Sequence, residues 1–225
     1  MRIVTEQQRT PEWLKARAGC VTASNVAAVL SKFKRESKAG DETAERRNYK
    51  MRVICETLTG LSQDTYVTPA MAAGMDYEPF AKAAYEVAKD VEIRDVGFIL
   101  HPTIARCGAS PDGLIGEDGM IEAKCPTMAT HLDYLLADAV PEDYKPQMLL
   151  GMVCAERQWC DFISHHKDFP DGMQLFVKRF PRDAEAITAM EVEILKFQRE
   201  CDEVIFRLQR DLTPILKQSV EAVSR

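Results

Sequence analysis

The sequence predicts an α/β fold, in which a mixed central β-sheet carries helices on both faces. Residues 108–126 have the pattern of a hairpin, with two short apolar strands joined by a Gly-Glu-Asp-Gly turn. Residues 159–166 and 173–180 alternate as a second pair of strands, and residues 182–217 carry apolar side chains at helical spacing. Because no linker-like stretch interrupts the chain, we expect a single domain over residues 1–225.

The composition is that of a globular protein, with 46% hydrophobic and 28% charged residues. No apolar run approaches the length of a membrane span, and the first residues lack the apolar segment of a signal peptide, so we expect a cytoplasmic protein. The seven cysteines show no metal-binding spacing, and we expect all of them to be reduced, small buried apolar residues. The net charge of −6 argues against non-specific coating of nucleic acid but permits a locally basic channel.

Two short helices are predicted near the N-terminus. Residues 10–19 begin with a Thr-Pro pair suited to a first turn and end at a glycine. Residues 22–30 form the second helix, with Thr22 or Ser24 as its cap. A hydroxyl-rich helix start is a natural phosphate site, and Arg17 just before it could add a bidentate contact. The alternative is plain helix capping beside a solvated arginine.

Residues 31–52 are rich in basic side chains, with eight Lys and Arg against four Asp and Glu. We interpret this stretch as a lining for nucleic-acid phosphates, and the alternative is a solvated loop and helix face. Residues 37–40 are predicted to be a mobile loop. The helix after it begins near Asp41 and ends at Thr59 and Gly60.

A longer helix is predicted from Pro69 to about Asp90. One stripe of this helix consists of Met71, Met75, Glu78, Ala81 and Tyr85. Glu78 is therefore an acid on a mostly apolar face, where an unpaired carboxylate is costly. Metal binding would explain this position, and the alternative is an ion pair of Glu78 with Lys82 one turn later.

The hairpin collects charged side chains on one surface. Because side chains alternate along a strand, Glu122 and Lys124 point to the same face. Asp112, at the mouth of the preceding strand, is close enough across the hairpin to join them. Two carboxylates can hold a divalent cation, and a lysine beside the cation can orient or deprotonate a water. The alternative is a surface hairpin with an ordinary Glu–Lys pair.

The elements around the hairpin complete the predicted sheet and its cover. A strand over residues 91–100 precedes the hairpin, and a short helix over residues 128–136 follows it. In the next helix, residues 141–154, Gln147 lies on the packing side together with Gly151. The small size of Gly151 would allow this helix to approach the sheet closely.

Three stretches resemble a known family. The Pro-Asp…Glu-x-Lys arrangement of residues 108–126 is that of the restriction-endonuclease-like nuclease superfamily. Residues 13–24, with Trp, Arg, Gly and Thr-Ala-Ser, resemble the N-terminal motif of the lambda-exonuclease (YqaJ-type) phage recombination nucleases. Residues 74–78 match the Gly-x-x-x-Glu of that family. The resemblance covers nearly the whole chain and implies a restriction-endonuclease-like core.

The resemblance implies a Mg²⁺-dependent active site, with Mn²⁺ as a possible substitute. Asp112 would bridge two Mg²⁺ ions, and Glu122 and the Ala123 carbonyl would hold one of them. Lys124 would activate or orient the attacking water. Gln147 would orient Lys124 or the water, and the alternative for this amide is a hydrogen bond to the backbone.

The resemblance also assigns residues around this centre. Arg17 and Ser24 would hold the 5′ phosphate, with Thr22 as a further candidate, and Glu78 would be an upstream acid of the active site.

The chain departs from the family at one position, ten residues before Asp112, where a further acid is replaced by Pro102. The neighbouring His101 is a candidate substitute, and the alternative is a structural histidine. His165 and His166 are adjacent in a strand and face opposite sides, so they are poorly placed to share one metal.

The activity that the resemblance implies is 5′→3′ digestion of double-stranded DNA ends to 5′-mononucleotides. The remaining 3′ single-stranded tail would pass to a single-strand annealing protein in homologous recombination, and the enzyme would be a homotrimer ring. The long C-terminal helix would pack on the sheet or on another subunit. Two other interpretations are a DNA endonuclease of the same superfamily and a non-catalytic DNA-end-binding module. The first would cut a circular duplex, and the second would bind DNA without turnover.

Overall fold

The computed structural model describes residues 2–4, 8–32, 41–63 and 69–223. The helices are α1 (Pro11–Arg17), α2 (Val26–Leu30), α3 (Ala44–Thr59), α4 (Pro69–Lys89), α5 (Met128–Ala137), α6 (Lys145–Ala155) and α7 (Ala184–Val223). Single 3₁₀ turns, Ala23–Asn25 and Glu142–Tyr144, precede α2 and α6. The loop predicted over residues 37–40 lies outside the described residues.

Two mixed β-sheets lie between these helices. The strands are β1 (Arg2–Val4), β2 (Val21–Thr22), β3 (Ile93–Arg94), β4 (Phe98–Leu100), β5 (Cys107–Ala109), β6 (Gly113–Ile115), β7 (Gly119–Lys124), β8 (Trp159–His165) and β9 (Leu175–Pro181). The larger sheet has the order β3-β6-β7-β8-β9, and only its β7–β8 pair is parallel. The smaller sheet has the order β1-β4-β5-β2, with β5 and β2 parallel.

Helices cover both faces of the larger sheet, which confirms the predicted fold class. On one face, α4 packs Ala81 and Tyr85 against Ile121 of β7. On the other face, α6 comes so close that a Cβ atom added at Gly151 would lie 2.7 Å from Met120 Cε. The close approach predicted for Gly151 is therefore confirmed. The hairpin β6–β7 is held between a helix on either side.

The long helix α7 packs mainly on other helices, namely α2, α3 and α6. Its buried apolar residues include Ile187, Met190, Ile194, Phe197 and Cys201. The ring of Phe197 stacks on Tyr49 of α3, with 5.5 Å between the ring centroids. Helix α7 therefore belongs to a helical layer beside the sheets.

Two residues of the basic stretch fasten α3 to α7. The Arg46 guanidinium donates to both carboxylate oxygens of Glu200, at 2.6 and 3.0 Å, and also to Glu42 at 2.9 Å. The Lys50 ammonium donates to Glu200 at 3.0 Å. Both side chains are thus engaged by carboxylates, and through Glu200 they tie α3 to α7.

Three local predictions are corrected by the structure. Residues 22–30 are not one capped helix, because Thr22 ends β2 and its side chain makes no cap hydrogen bond before the 3₁₀ turn. Residues 91–100 do not form one strand, since β3 and β4 belong to different sheets. All seven cysteines are free thiols, but Cys55 is exposed and Cys125 is only half-buried. Across the described parts of the chain, no helix combines the length and apolarity that a membrane span needs.

Candidate active site

The hairpin brings Asp112, Glu122 and Lys124 together, as the sequence predicts. Gly113 pairs with Ile121 across the antiparallel strands, so Asp112 comes next to Glu122. The Ala123 backbone N–H donates to Asp112 Oδ2 at 2.7 Å. The Lys124 ammonium donates to Glu122 Oε1. Strand alternation and hairpin register therefore determine this cluster locally.

The cluster contains two carboxylates and one ammonium in a partly buried setting. Burial, and then the charge of Glu122, raises the pKa of Asp112 to about 7, although Lys124 opposes the shift. Burial by itself would lower the pKa of Lys124, but Glu122 and Asp112 outweigh it and the pKa is raised. Lys124 is therefore an ammonium in this arrangement, and the cluster has one negative charge in excess when both acids are ionised.

A cleft of about 420 Å³ opens onto this cluster. Residues from the hairpin and the segment after it, from α4, from the turn before α6 and from the segment before α1 line it: Arg9, Gly74, Met75, Glu78, Asp112, Ala123, Lys124, Cys125, Pro126 and Tyr144. Asp112, Lys124 and Glu78 thus border a space open to a substrate, while Glu122 lies buried behind them.

Glu78 lies at the cleft, as the family resemblance implies, and it is also paired as the alternative interpretation predicts. Its carboxylate accepts from Arg9 at 2.8 Å and lies 3.1 Å from the Lys82 ammonium. The two cations neutralise an acid on the otherwise apolar face of α4. Glu78 therefore borders the site with its charge compensated.

Gln147 contacts Glu122, which differs from both predictions for it. Its Nε2 donates to Glu122 Oε1 at 2.6 Å, so Lys124 and Gln147 share one carboxylate oxygen. Within the described residues, Glu122 Oε2 has no hydrogen-bond donor. Two donors on Oε1 fix the orientation of the carboxylate and leave Oε2 available for a further partner.

Arg17 is built into the structure beside the cluster. Its side chain is 7% exposed, and the guanidinium lies 4.0 Å from the centroid of the Trp13 ring. Both residues reach Ser110, with Trp13 Nε1 at 3.1 Å and Arg17 Nη1 at 3.4 Å from its hydroxyl. Ser110 precedes Asp112 by two residues, so this group is joined to the cluster through the chain.

Thr22 and Ser24 lie close together, with their hydroxyl oxygens 3.4 Å apart. Thr22 is buried, and Ser24 is exposed. The Asn25 amide donates to both hydroxyls, at 3.0 and 3.2 Å. Ser24 is therefore the more accessible of the two candidates for a phosphate contact.

His101 does not replace the missing acid. Its Nε2 lies 3.1 Å from a Glu191 oxygen, and its Nδ1 accepts from the backbone N–H groups of Thr103 and Ile104 at 3.2 and 3.0 Å. With both ring nitrogens engaged, this histidine is structural, and the alternative interpretation is correct. Burial lowers its pKa, against the opposing effect of Glu191.

Three residues of the site were missed by sequence reasoning. Ser110 lies inside the Ser-Pro-Asp motif and could have been identified from it. Tyr144 ends the 3₁₀ turn before α6, and the Lys124 ammonium lies 5.0 Å from its ring centroid. Arg9, the partner of Glu78, carries no motif that would have pointed to it.

The donor set fits a divalent cation of the magnesium type. Asp112 and Glu122 offer carboxylate oxygens, and Ala123, whose N–H contacts Asp112, has a backbone carbonyl as a further oxygen donor. Magnesium is typically bound through one or two carboxylates, with waters and substrate phosphates completing its shell. In the described ranges, no group of three or more His, Cys, Asp or Glu side chains is placed to hold a metal ion, so Asp112 and Glu122 are a pair of acids and not a complete ligand set.

Comparison with solved structures gives relatives that cover nearly the whole chain. LHK-Exo, an alkaline exonuclease from Laribacter hongkongensis, is 40% identical, with a TM-score of 0.83, over 92% of this chain and 100% of that one. A structure of LHK-Exo in complex with dAMP matches equally well. A phage-related exonuclease from Haemophilus somnus 129PT has the same fold at 15% identity, with a TM-score of 0.68 over 84% of this chain and 96% of that one.

Comparison with curated proteins gives no significant match. The family model of the YqaJ-like viral recombinase domain matches residues 12–158. This range contains the Arg17 group, Glu78, the whole hairpin and Gln147. The chain therefore belongs to the YqaJ-like viral recombinase domain family, as the motifs at 13–24, 74–78 and 108–126 predict.

Proposed function

We propose that this recombination nuclease is a Mg²⁺-dependent 5′→3′ exonuclease that acts on the ends of linear double-stranded DNA. It releases 5′-mononucleotides and leaves a 3′ single-stranded tail. The observation that carries the proposal is the convergence of Asp112, Glu122 and Lys124 beside an open cleft, which Asp112 and Lys124 line. The naming of LHK-Exo as an alkaline exonuclease, and its complex with dAMP, support an exonuclease that handles a mononucleotide.

Asp112, Glu122 and the Ala123 carbonyl would hold Mg²⁺, with two ions as the expected number and Mn²⁺ as a substitute. The chemistry that the bound metal supplies is stabilisation of the charge on the scissile phosphate and the leaving oxygen. Lys124 orients the attacking water and offsets one of the two negative charges of the acids. Gln147 holds the Glu122 carboxylate in position through its 2.6 Å hydrogen bond.

Arg17 and Ser24 bind the 5′ phosphate of the digested strand, and the Thr22 hydroxyl beside Ser24 holds that residue in position. The stacking of Arg17 on Trp13 and its contact with Ser110 support this role, because they hold the guanidinium in one orientation before the substrate arrives. A preorganised guanidinium suits the bidentate recognition of a phosphate.

The assembly and the partners are part of the same proposal. The enzyme works in the cytoplasm as a homotrimer ring, and a single-strand annealing protein receives the 3′ tail. Exposed apolar side chains along α7 support packing against a further copy of the chain: Val192, Leu195, Phe206 and Leu212.

The test is digestion of a linear duplex with one 5′-phosphate end and one 5′-hydroxyl end, each strand labelled, in Mg²⁺. We expect mononucleotides first from the phosphorylated strand, while its complement stays whole. A circular duplex of the same sequence serves as the control and is expected to stay intact. Internal cuts or a cleaved circle would establish an endonuclease instead. Binding of the linear duplex without cleavage in Mg²⁺ or Mn²⁺ would establish a binding module.

A further inference from the structure

The active-site cleft continues past Pro126 into a second cavity of about 530 Å³. Cys125 and Pro126 line both spaces, so the two form one path along the surface. The second cavity lies between α4, which contributes Tyr77, and the start of α5, which contributes Thr127 and Thr130. None of the roles proposed above uses it.

The strand order places this cavity on the far side of β7 from Asp112. Strands β7 and β8 are parallel and end at the same edge of the sheet, with Lys124 opposite Ser164. His165 therefore comes opposite Cys125, at the carboxyl end of β8. Asp112 comes from the β6 side, so the order along the edge is Asp112, Lys124, His165. Carboxyl ends of parallel strands are a common place for ligands in α/β proteins.

His165 is a largely buried polar side chain in the wall of this cavity. It is only 8% exposed, and its imidazole makes no hydrogen bond to any residue that the structure describes. Because the ring borders the cavity and forms no hydrogen bond within the described residues, its nitrogens are available to a ligand in the cavity.

The first turn of α5 borders the same cavity. Thr127 caps the ten-residue helix by accepting from the Thr130 N–H at 3.4 Å, and the N–H groups of Met128 and Ala129 have no acceptor within the helix. The Thr130 hydroxyl lies 3.1 Å from that of Thr127. A helix N-terminus with hydroxyl groups favours a negatively charged oxygen.

Lys167 supplies a positive charge at the rim. Its ammonium is 2.8 Å from Asp168 and 5.9 Å from the centroid of the exposed Tyr77 ring. A phosphate entering the cavity would share Lys167 with Asp168. The aromatic ring beside it suits a sugar or a base attached to that phosphate.

We propose that this cavity, lined by Thr130, His165 and Lys167, is a second phosphate site that binds the digested DNA strand one linkage to the 3′ side of the scissile phosphate. The site rests on the proposed function, because it takes the nuclease cluster as the place of cleavage. It holds the strand on the side of Lys124 opposite to Asp112, so that the scissile phosphate is fixed from both directions.

The test measures the affinity of full-length protein for 5′-phosphorylated duplexes in Ca²⁺ without Mg²⁺, so that no turnover is needed. Each duplex carries one neutral methylphosphonate, at linkage one, two, three or four from the 5′ end. The variants are His165→Ala, Lys167→Ala and Thr130→Val. The control is Lys178→Ala, which removes a lysine that is likewise paired with an aspartate, at 2.9 Å, outside the cavity.

We expect the unmodified duplex to bind about tenfold more weakly to His165→Ala and about threefold more weakly to Lys167→Ala. A methylphosphonate at linkage two should weaken binding to the wild-type protein and to Lys178→Ala, and the penalty should shrink in the three cavity variants. Equal penalties in wild-type and cavity variants at every linkage would overturn the site. Thr130→Val and Lys167→Ala alter a partly exposed and an exposed side chain, so they decide the question if His165→Ala does not fold.

Digestion of the unmodified duplex in Mg²⁺ by wild-type protein separates this inference from the proposed function. Suppose that mononucleotides are released in order from the 5′ end, but the methylphosphonate penalties are equal in the wild-type protein and the cavity variants. This result would disprove the second phosphate site and leave the proposed exonuclease function intact. Internal cleavage would remove the proposed direction of digestion, while a penalty that depends on His165 would still support the phosphate site.

Discussion

Two charged clusters lie on opposite faces of strands β7 and β8 and are built in opposite ways. Asp161 is 1% exposed, accepts from the Tyr85 hydroxyl at 2.6 Å, and accepts from Arg179 at 2.8 and 3.0 Å. One carboxylate is thus matched by one guanidinium and one hydroxyl. In the cluster of Asp112, Glu122 and Lys124, two carboxylates share one ammonium at an open cleft.

The difference shows how the same chemical groups serve structure in one place and chemistry in the other. The Asp161 cluster balances its charge and satisfies its acceptors, so it fixes α4 and β9 on the sheet. When both of its acids are ionised, the Asp112 cluster carries one negative charge in excess, and within the described residues Glu122 Oε2 accepts no hydrogen bond, so a bound cation would compensate this cluster. The Asp112 cluster therefore differs from the Asp161 cluster in its uncompensated negative charge and its position beside a cleft.

The largest effect is expected from Lys124→Ala. Loss of the ammonium that orients water should reduce cleavage by about a thousandfold, while DNA binding is retained. Single-turnover digestion of a linear duplex measures the cleavage rate, and fluorescence anisotropy in Ca²⁺ measures the affinity for DNA. Lys178→Ala is the control for loss of one positive charge. If Lys124→Ala cleaved at a rate within tenfold of the wild-type rate, Lys124 would not be the residue that orients the attacking water.

A structural effect is expected from Asp161→Asn. The amide offers one acceptor where the carboxylate satisfies three N–H and O–H donors, so the free energy of unfolding should fall by about 2 kcal/mol. Tyr85→Phe, which removes one of these donors, should cost about 1 kcal/mol. Urea unfolding measures both. The cleavage rate per folded molecule should stay at the wild-type value, and a specific loss of turnover would place Asp161 in the chemistry.

A smaller effect on the reaction than that of Lys124→Ala is expected from Arg17→Lys. Lysine keeps the charge but loses the planar fork that stacks on Trp13 and suits two phosphate oxygens. The preference for a 5′-phosphate over a 5′-hydroxyl end should fall about tenfold. Competition between the two kinds of end in one digestion measures this ratio, and the 5′-hydroxyl substrate is the internal control. An unchanged ratio would show that Arg17 does not recognise the 5′ phosphate.

The sequence predicted the hairpin cluster because local rules determine it. Strand alternation places Glu122 and Lys124 on one face, and a short turn returns the chain to Asp112. The partners that were missed come from distant parts of the chain. Glu191 lies 90 residues from His101, and no local pattern indicates that pair.

Local sequence patterns also could not predict contacts that depend on how a helix is rotated against its neighbours. Helical periodicity placed Gln147 on the packing face, but its contact with Glu122 depends on how α6 settles on the sheet. Arg46 and Glu200 are 154 residues apart, so the basic stretch could not be recognised as a fastening to α7.

The comparison of the two clusters is tested most directly by Asp112→Asn. The amide oxygen can still accept from the Ala123 N–H, and the substitution removes one of two neighbouring negative charges. We predict a melting temperature at or above that of the wild-type protein, measured without divalent metal, together with loss of cleavage in Mg²⁺. A lowered melting temperature like that of Asp161→Asn, with cleavage retained, would show that Asp112 is a structural carboxylate and would contradict the account.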